Sequence, residues 1–368
     1  MSKANVEMGR NIGIEIEVEN TTPNVVRNNP AVADYFSNTH DASIESDATF
    51  LSNSGIVSRR NNLTFMRSGN KTIGVEFVSR ILDGESEQEV LSALKCITYA
   101  LEDAGEPDES YRAGIHVHVS MAYNLRVLKS IIRLGRHLEQ VFFYLGGMGY
   151  KFRGMENGCA YCRPITKWGP AVVRLNDVYW GQCFNIPALL EAKNTDEFWA
   201  RYCNAANWVD DRYIAVRYHW LNLAAILQKG TLEFRVFNKT LNPFYILAIA
   251  NFCRSFCNYA FASSYQTIKD DSLIKENSIY DKHSQKGILE TLDEFCGIAE
   301  VDESTKQTLI SIITRTPPIE IAPVFMTTHL RECAAYFSRN NTFQYFPPIV
   351  KEAVKPKVVD IHTLRGDR

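Results

Sequence analysis

Four short segments of this chain alternate aliphatic with ionisable residues at a period of two, a pattern that fits a strand and not a helix. They are Ile12-Gly13-Ile14-Glu15-Ile16-Glu17-Val18, Ile73-Gly74-Val75-Glu76-Phe77, Ile115-His116-Val117-His118-Val119 and Thr231-Leu232-Glu233-Phe234-Arg235-Val236. Paired in one antiparallel sheet, they bury their aliphatic side chains on one face. The other face then collects Glu15, Glu17, Glu76, Glu233, His116, His118 and Arg235. A solvated face mixes Lys, Ser, Thr and Glu, because like charges opposite one another destabilise a sheet. This one has four Glu, two His, one Arg and no Lys. Carboxylates crowded in this way stay ionised chiefly when a cation sits among them.

Any single half-exposed strand alternates as a matter of course; only the four segments together depart from a solvated face. Two rises along a strand place Glu15 and Glu17 about 6.6 Å apart, close enough to flank one cation or to feed two. Hard oxygen donors with one imidazole suit Mg²⁺ or Mn²⁺. Glu233 and Arg235, two apart on one strand, read as too far apart to satisfy each other. That leaves Glu233 for a metal and Arg235 for a phosphate or carboxylate, the alternative being an ion pair with a neighbouring strand. The chain has no GxxxxGK[ST] loop, no GxGxxG after a strand, no HExxH helix and no GxSxG elbow. The basic, glycine-rich run from Gly146 to Gly154 could grip an anion, but a lone glycine-rich loop is a weak signal and it reads first as a connection.

The 368 residues, 45% of them apolar, suffice for a substantial core in one large domain or two ordinary ones. A net charge of −2 gives no general attraction to nucleic acid or to an anionic membrane. The longest apolar run, Phe244 to Ala262, is interrupted by Asn251, Arg254 and Asn258 and reads as a buried helix, not a membrane span. Residues Met1 to Glu7 lack the hydrophobic core of a signal peptide, so a cytoplasmic protein is expected. Cys159-x-x-Cys162 with Cys253 and Cys257 could in principle hold zinc. A second CxxC is missing, however, and the nine scattered cysteines read as buried small hydrophobes.

Asn20 to Lys71 reads as a long irregular excursion between the first two strands. Ser86-x-x-Glu89 is a capping box opening a helix that runs to Gly105. A second helix runs from Leu125 to a stop at Gly146-Gly147, and another carries Phe198, Tyr202 and Cys203. A strand pair is expected around Arg217–Leu227 and Thr231–Phe237, turning at Lys229-Gly230. Asn242-Pro243 caps the apolar helix. Further helices are expected at about 286–299, 304–314 and 328–338. The pattern is α+β, with its chemistry in residues 12–240.

These residues carry a resemblance. Gly13-Ile14-Glu15-Ile16-Glu17 resembles the opening strand of the carboxylate–amine ligases related to glutamine synthetase and glutamate–cysteine ligase, and Gly114-Ile115-His116-Val117-His118-Val119-Ser120 their Gly-x-His-x-His strand. The elements Asp41-Ala42-Ser43 and Gly74-Val75-Glu76-Phe77-Val78-Ser79 are similar to those of the amidoligase branch. So are Arg217-Tyr218-His219-Trp220-Leu221-Asn222-Leu223 and Gly230-Thr231-Leu232-Glu233-Phe234-Arg235. The motifs fall in the family's order over about residues 12–240.

The resemblance implies a curved antiparallel sheet of the glutamine synthetase catalytic type, helices on its outer face and a helical C-terminal region. It divides the chain into a catalytic domain, 1–265, and an extension, 266–368. It implies ATP with Mg²⁺ or Mn²⁺, and as metal ligands Glu15, Glu17, Asp41, Glu76, His116 and Glu233, with Asp47 and Glu45 as rivals of Asp41. Arg235, Arg217 and His118 would lie on the nucleotide side, Arg235 or Arg217 holding the transferred phosphate or the substrate carboxylate. Arg153, Tyr161 and Arg163 are expected to read the substrate. The reaction implied joins a small carboxylate, an amino acid or peptide, to an amine through an acyl phosphate. The alternatives are a guanidino-type kinase and a nucleotide-binding regulatory protein without turnover.

Overall fold

The computed structural model describes residues 9–18, 25, 28–40, 46–47, 71–72, 75–106, 110–146, 165, 184–204, 219–263, 268 and 285–315. Its strands are β1 (Asn11–Val18), β2 (Phe36–His40), β3 (Ser46–Asp47), β4 (Lys71–Thr72), β5 (Val75–Ser79), β6 (Leu82–Asp83), β7 (Ser110–Ser120), β8 (Leu221–Asn222) and β9 (Thr231–Lys239). All but β3 and β4 form one open antiparallel sheet in the order β2-β5-β1-β7-β9-β8, with β6 also paired to β1. The four half-polar segments therefore lie side by side at its centre. Glu17 stands opposite Glu76, Glu15 opposite His116, and His118 opposite both Gly13 and Glu233.

Two readings along the chain need correction. The excursion after β1 is not wholly irregular: it contains the short helix α1 (Pro30–Ala33) and the edge strand β2, paired to β5. The expected strand before Lys229 is only the two residues of β8, and Ala224–Lys229 form helix α6 instead. Ala-Ala-Ile-Leu-Gln-Lys is a run dominated by good helix formers. Gly230 closes it at φ 69°, and its N–H caps the carbonyls of Ala225 and Ile226. A left-handed residue here is what turns the chain into β9.

The helices cover the apolar face. Ser86 caps α2 (Glu87–Asp103) through Glu89 N–H, and Asn124 caps α3 (Leu125–Leu145) through Val127 N–H. Beyond these lie α4 (Ile186–Glu191) and α5 (Thr195–Asn204), then α7 (Pro243–Ala262), which Asn242 caps. Phe142 of α3 is fully buried. Its ring centroid lies 5.3 Å from Phe234 of β9 and 5.1 Å from Phe252 of α7, so α3 is clamped between sheet and helix. Helices α8 (Gln285–Ile298) and α9 (Glu303–Arg315) close the far side, where Phe295 meets Phe252 and Tyr259.

Helix α7 is the expected buried helix, and burial pushes the thiols of Cys253 and Cys257 up, away from the ionised form that binds metal. Among the described residues, no helix is long and apolar enough to cross a membrane. Cys159, Cys162, most of the glycine-rich run and residues 328–338 lie outside the described residues.

Candidate metal centre

Alternation along β1, β7 and β9 sends the apolar side chains into the core and leaves the ionisable ones on the opposite face. Ile14, Ile16, Val117 and Phe234 are fully buried. On the other face Glu15, Glu17, His116, His118 and Glu233 are each at most 8% exposed, which is far drier than a solvated sheet surface.

Glu15 is at the centre. Its Oε2 lies 3.0 Å from His116 Nδ1, and its Oε1 lies 3.1 Å from His118 Nε2 and 3.2 Å from Lys229 Nζ. His116 Nε2 lies 3.4 Å from Glu17 Oε1, while the other Glu17 oxygen accepts from Gly114 N–H at 2.8 Å. Glu76 Oε1 and Glu233 Oε1 approach His116 Nδ1 to 3.7 and 3.8 Å. His118 is oriented from the other side, with Nδ1 3.0 Å from Thr231 Oγ1. Its buried Nε2 makes no hydrogen bond, although Glu233 Oε1 is 3.8 Å away and Glu15 Oε1 closer still.

Two groups have the dimensions of a cation site. Ligand atoms of Glu15, His118 and Glu233 lie within 4.8 Å of one another, as do those of Glu15, Glu76 and His116. A buried imidazole nitrogen without a hydrogen bond, aimed at carboxylates while its partner nitrogen is held by a hydroxyl, is the orientation a metal-binding histidine needs. The donor set of carboxylates and imidazole suits Mg²⁺ or Mn²⁺.

Glu233 and Arg235 are not independent, contrary to the sequence reading. Arg235 Nη1 donates to Glu233 Oε1 at 2.5 Å. The register explains the meeting, because Ile115 pairs with Phe237 but Val117 with Phe234, so Arg235 and Val236 share the place opposite His116. Such a bulge re-aims a side chain, and the long guanidinium stem reaches back along the strand. Gly146, which ends α3, packs closely against the bulge, where a Cβ on it would come 2.4 Å from the Val236 carbonyl oxygen.

The electrostatics follow. Burial pushes the Glu15 carboxyl up, but the imidazoles of His116 and His118 more than offset this and hold it well below the usual carboxylate range. Burial also opposes ionisation of Glu233, yet Arg235 and then the two histidines bring it down to about 2. Burial disfavours the Arg235 cation, but Glu233 and Glu17 keep it firmly charged.

Sequence reasoning missed three participants. Asn222, on β8 directly opposite Glu233, donates Nδ2 to Glu233 Oε2 at 2.6 Å and accepts from Ala224 N–H at 3.0 Å, which fixes its amide. The signal was available: a lone amide in the apolar run Trp220-Leu221-Asn222-Leu223-Ala224 requires a buried partner. Thr231 and Lys229 gave no comparable signal. Asp41, Glu45, Arg153, Tyr161, Arg163 and Arg217 lie outside the described residues. Asp47 belongs to the separate two-stranded β3–β4 sheet.

The family model described as "Putative amidoligase enzyme" matches residues 8–257. The chain belongs to this amidoligase family. The matched amidoligase region runs from before β1 into α7 and so contains every residue of the cluster, whereas α8 and α9 lie beyond it. No curated protein matches the chain. Among solved structures, the amidoligase chain is similar to a bifunctional glutathione synthetase from Pasteurella multocida, with 10% identity and a TM-score of 0.38 over 90% of this chain. It spans about half of that structure, 52% of its length.

Proposed function

We propose that this amidoligase-family chain is an ATP-dependent ligase that uses Mg²⁺ or Mn²⁺ to join a small carboxylate, an amino acid or peptide, to an amine. The observation that carries the reading is the buried His118 Nε2, without a hydrogen bond, converging with Glu15 and Glu233 on the polar face. Glu15, Glu233 and His118 would hold one cation, and Glu15, Glu76 and His116 a second, with Glu17 beside His116. A divalent cation there supplies charge neutralisation for a transferring phosphoryl group.

The chain's own residues do the rest. Arg235, anchored through Glu233, presents a fixed cation beside the metal ligands, where it would hold the transferred phosphate or the substrate carboxylate. Arg217 and His118 are further candidates on the nucleotide side. A substrate carboxylate oxygen attacks the γ-phosphorus of ATP and the bond to ADP breaks, leaving an acyl phosphate. The amine nitrogen then attacks the acyl carbon, phosphate departs, the nitrogen loses a proton and an amide remains. A buried face with little access for water protects that acyl phosphate from hydrolysis.

In this reading the sheet is the curved catalytic sheet of the glutamine synthetase type, residues 1–265 form the catalytic domain, and 266–368 are an extension. Asp41 joins the metal ligands, and Arg153, Tyr161 and Arg163 contact substrate. ADP release in the presence of Mg²⁺ against panels of carboxylates and amines, with mass spectrometry of the product, tests it. The expected result is ADP formation that requires both an acid and an amine, with an amide as product. A stable phosphorylated guanidine would identify a kinase instead, and tight Mg²⁺-ATP binding without turnover a regulatory binding protein.

A further inference from the structure

Lys229 has one foot in the cluster and the rest of its side chain in water. It is the last residue of α6, immediately before the left-handed Gly230, and its side chain is 56% exposed. Its Nζ nevertheless donates to Glu15 Oε1 at 3.2 Å, although that carboxylate is only 10% exposed. The oxygen it has chosen is the one that also lies 3.1 Å from His118 Nε2, and Glu15 is the residue common to both cation-sized groups. The ammonium and a divalent cation bound to Glu15 and His118 would thus call on the same carboxylate oxygen.

A divalent ion on that oxygen and the Lys229 ammonium would lie a few ångströms apart, and two positive charges at that separation repel at a partly dehydrated site, so the two cations compete for Glu15. Lys229 is the one able to move. Its flexible four-carbon stem opens onto solvent, and a pair with one exposed partner is weak. His118 is held through Thr231 Oγ1, and Arg235 through Glu233.

We infer that Lys229 is the protein's own counter-ion for the carboxylate face: it neutralises Glu15 in the cation-free protein and is expelled when the metal binds. The inference rests on the proposed use of this face as a metal centre. Displacing the ammonium is then a toll on metal binding, and its removal strengthens affinity by the worth of a weak ion pair, about two- to fivefold.

Mn²⁺ affinity, read from the electron paramagnetic resonance of the free ion without nucleotide, tests this on the full chain and three variants. K229M should bind Mn²⁺ about two- to fivefold more tightly than the unaltered protein, and K229R should stay with the unaltered protein. K95M removes the same charge from a lysine that lies over the Phe244 ring, 5.3 Å from its centroid, and should leave the affinity unchanged. Unchanged or weaker Mn²⁺ binding in K229M overturns the role of Lys229 alone. An equal gain in K95M reduces the effect to net charge and overturns it as well. No Mn²⁺ binding by any of the four proteins overturns the metal centre itself.

Discussion

Replacing Arg235 by Met tests whether the buried face is held together by charge compensation. The guanidinium donates to Glu233 Oε1 at 2.5 Å, and its side chain is 12% exposed, so solvent screens the pair little. Bringing the Glu233 carboxyl from its ordinary 4.5 down to about 2 corresponds to about 3 kcal/mol of preference for the ionised form. Arg235 is the largest favourable contributor, ahead of His118 and His116. Losing it should therefore cost about 2–3 kcal/mol at neutral pH in chelator-treated protein, because Glu233 must then remain buried among Glu15, Glu17 and Glu76 without its strongest partner. Urea denaturation followed by circular dichroism measures the loss. The same measurement with saturating Mn²⁺ should show a smaller gap between variant and parent, since a bound cation supplies part of the missing charge and stabilises the folded state by mass action. A loss under about 0.5 kcal/mol, the size of an ordinary surface substitution, or a gap that Mn²⁺ leaves untouched, refutes the reasoning.

Three further outcomes are expected. The stability of metal-free protein should fall as pH drops from 4.5 toward 2: the folded Glu233 carboxyl is lowered, so its stabilisation is complete above the ordinary value and is lost as the folded value is approached. Denaturation midpoints across that range should show this slope reduced in E233Q, and an identical slope in both proteins contradicts it. Asn222→Ala removes the Nδ2 donor to Glu233 Oε2, and should cost about 1–3 kcal/mol while weakening Mn²⁺ binding; unchanged Mn²⁺ affinity would reduce Asn222 to a packing role. Phe142→Ala, at the junction of sheet and α7, should cost about 3–5 kcal/mol without altering the number of Mn²⁺ ions bound by the folded protein, as denaturation and titration will check.

The sequence made the central strands legible because strong period-two alternation leaves one face for the core, and a one-residue slip would bury Glu15, Glu17 and His116 in hydrocarbon. Helix starts at Ser86 and Asn242 were legible for a similar reason, since the cap is local chemistry. Two things were not. The bulge at Arg235 and Val236 is a register shift between β7 and β9, packed against the distant Gly146, that no local pattern in the chain marks. It turned an apparently separated Glu–Arg pair into a direct ion pair. The Lys229 contact with Glu15 depends on a short helix and a left-handed glycine where a strand and a two-residue turn were expected. Periodicity also shows that His116 and His118 share a face, but only the register of β7 with β1 and β9 brings His118 to Glu15 and Glu233, which it shares with His116.

The account turns on whether divalent cations occupy the carboxylate face. Crystals grown with Mn²⁺ and a non-hydrolysable ATP analogue, measured for Mn anomalous scattering, address that directly. The account predicts an anomalous peak within about 2.5 Å of a Glu15 carboxylate oxygen and of either His118 Nε2 or a His116 ring nitrogen, with Lys229 Nζ withdrawn from Glu15. Mn²⁺ bound to the nucleotide but away from Glu15, Glu76 and Glu233, with Lys229 still seated on Glu15, would contradict it.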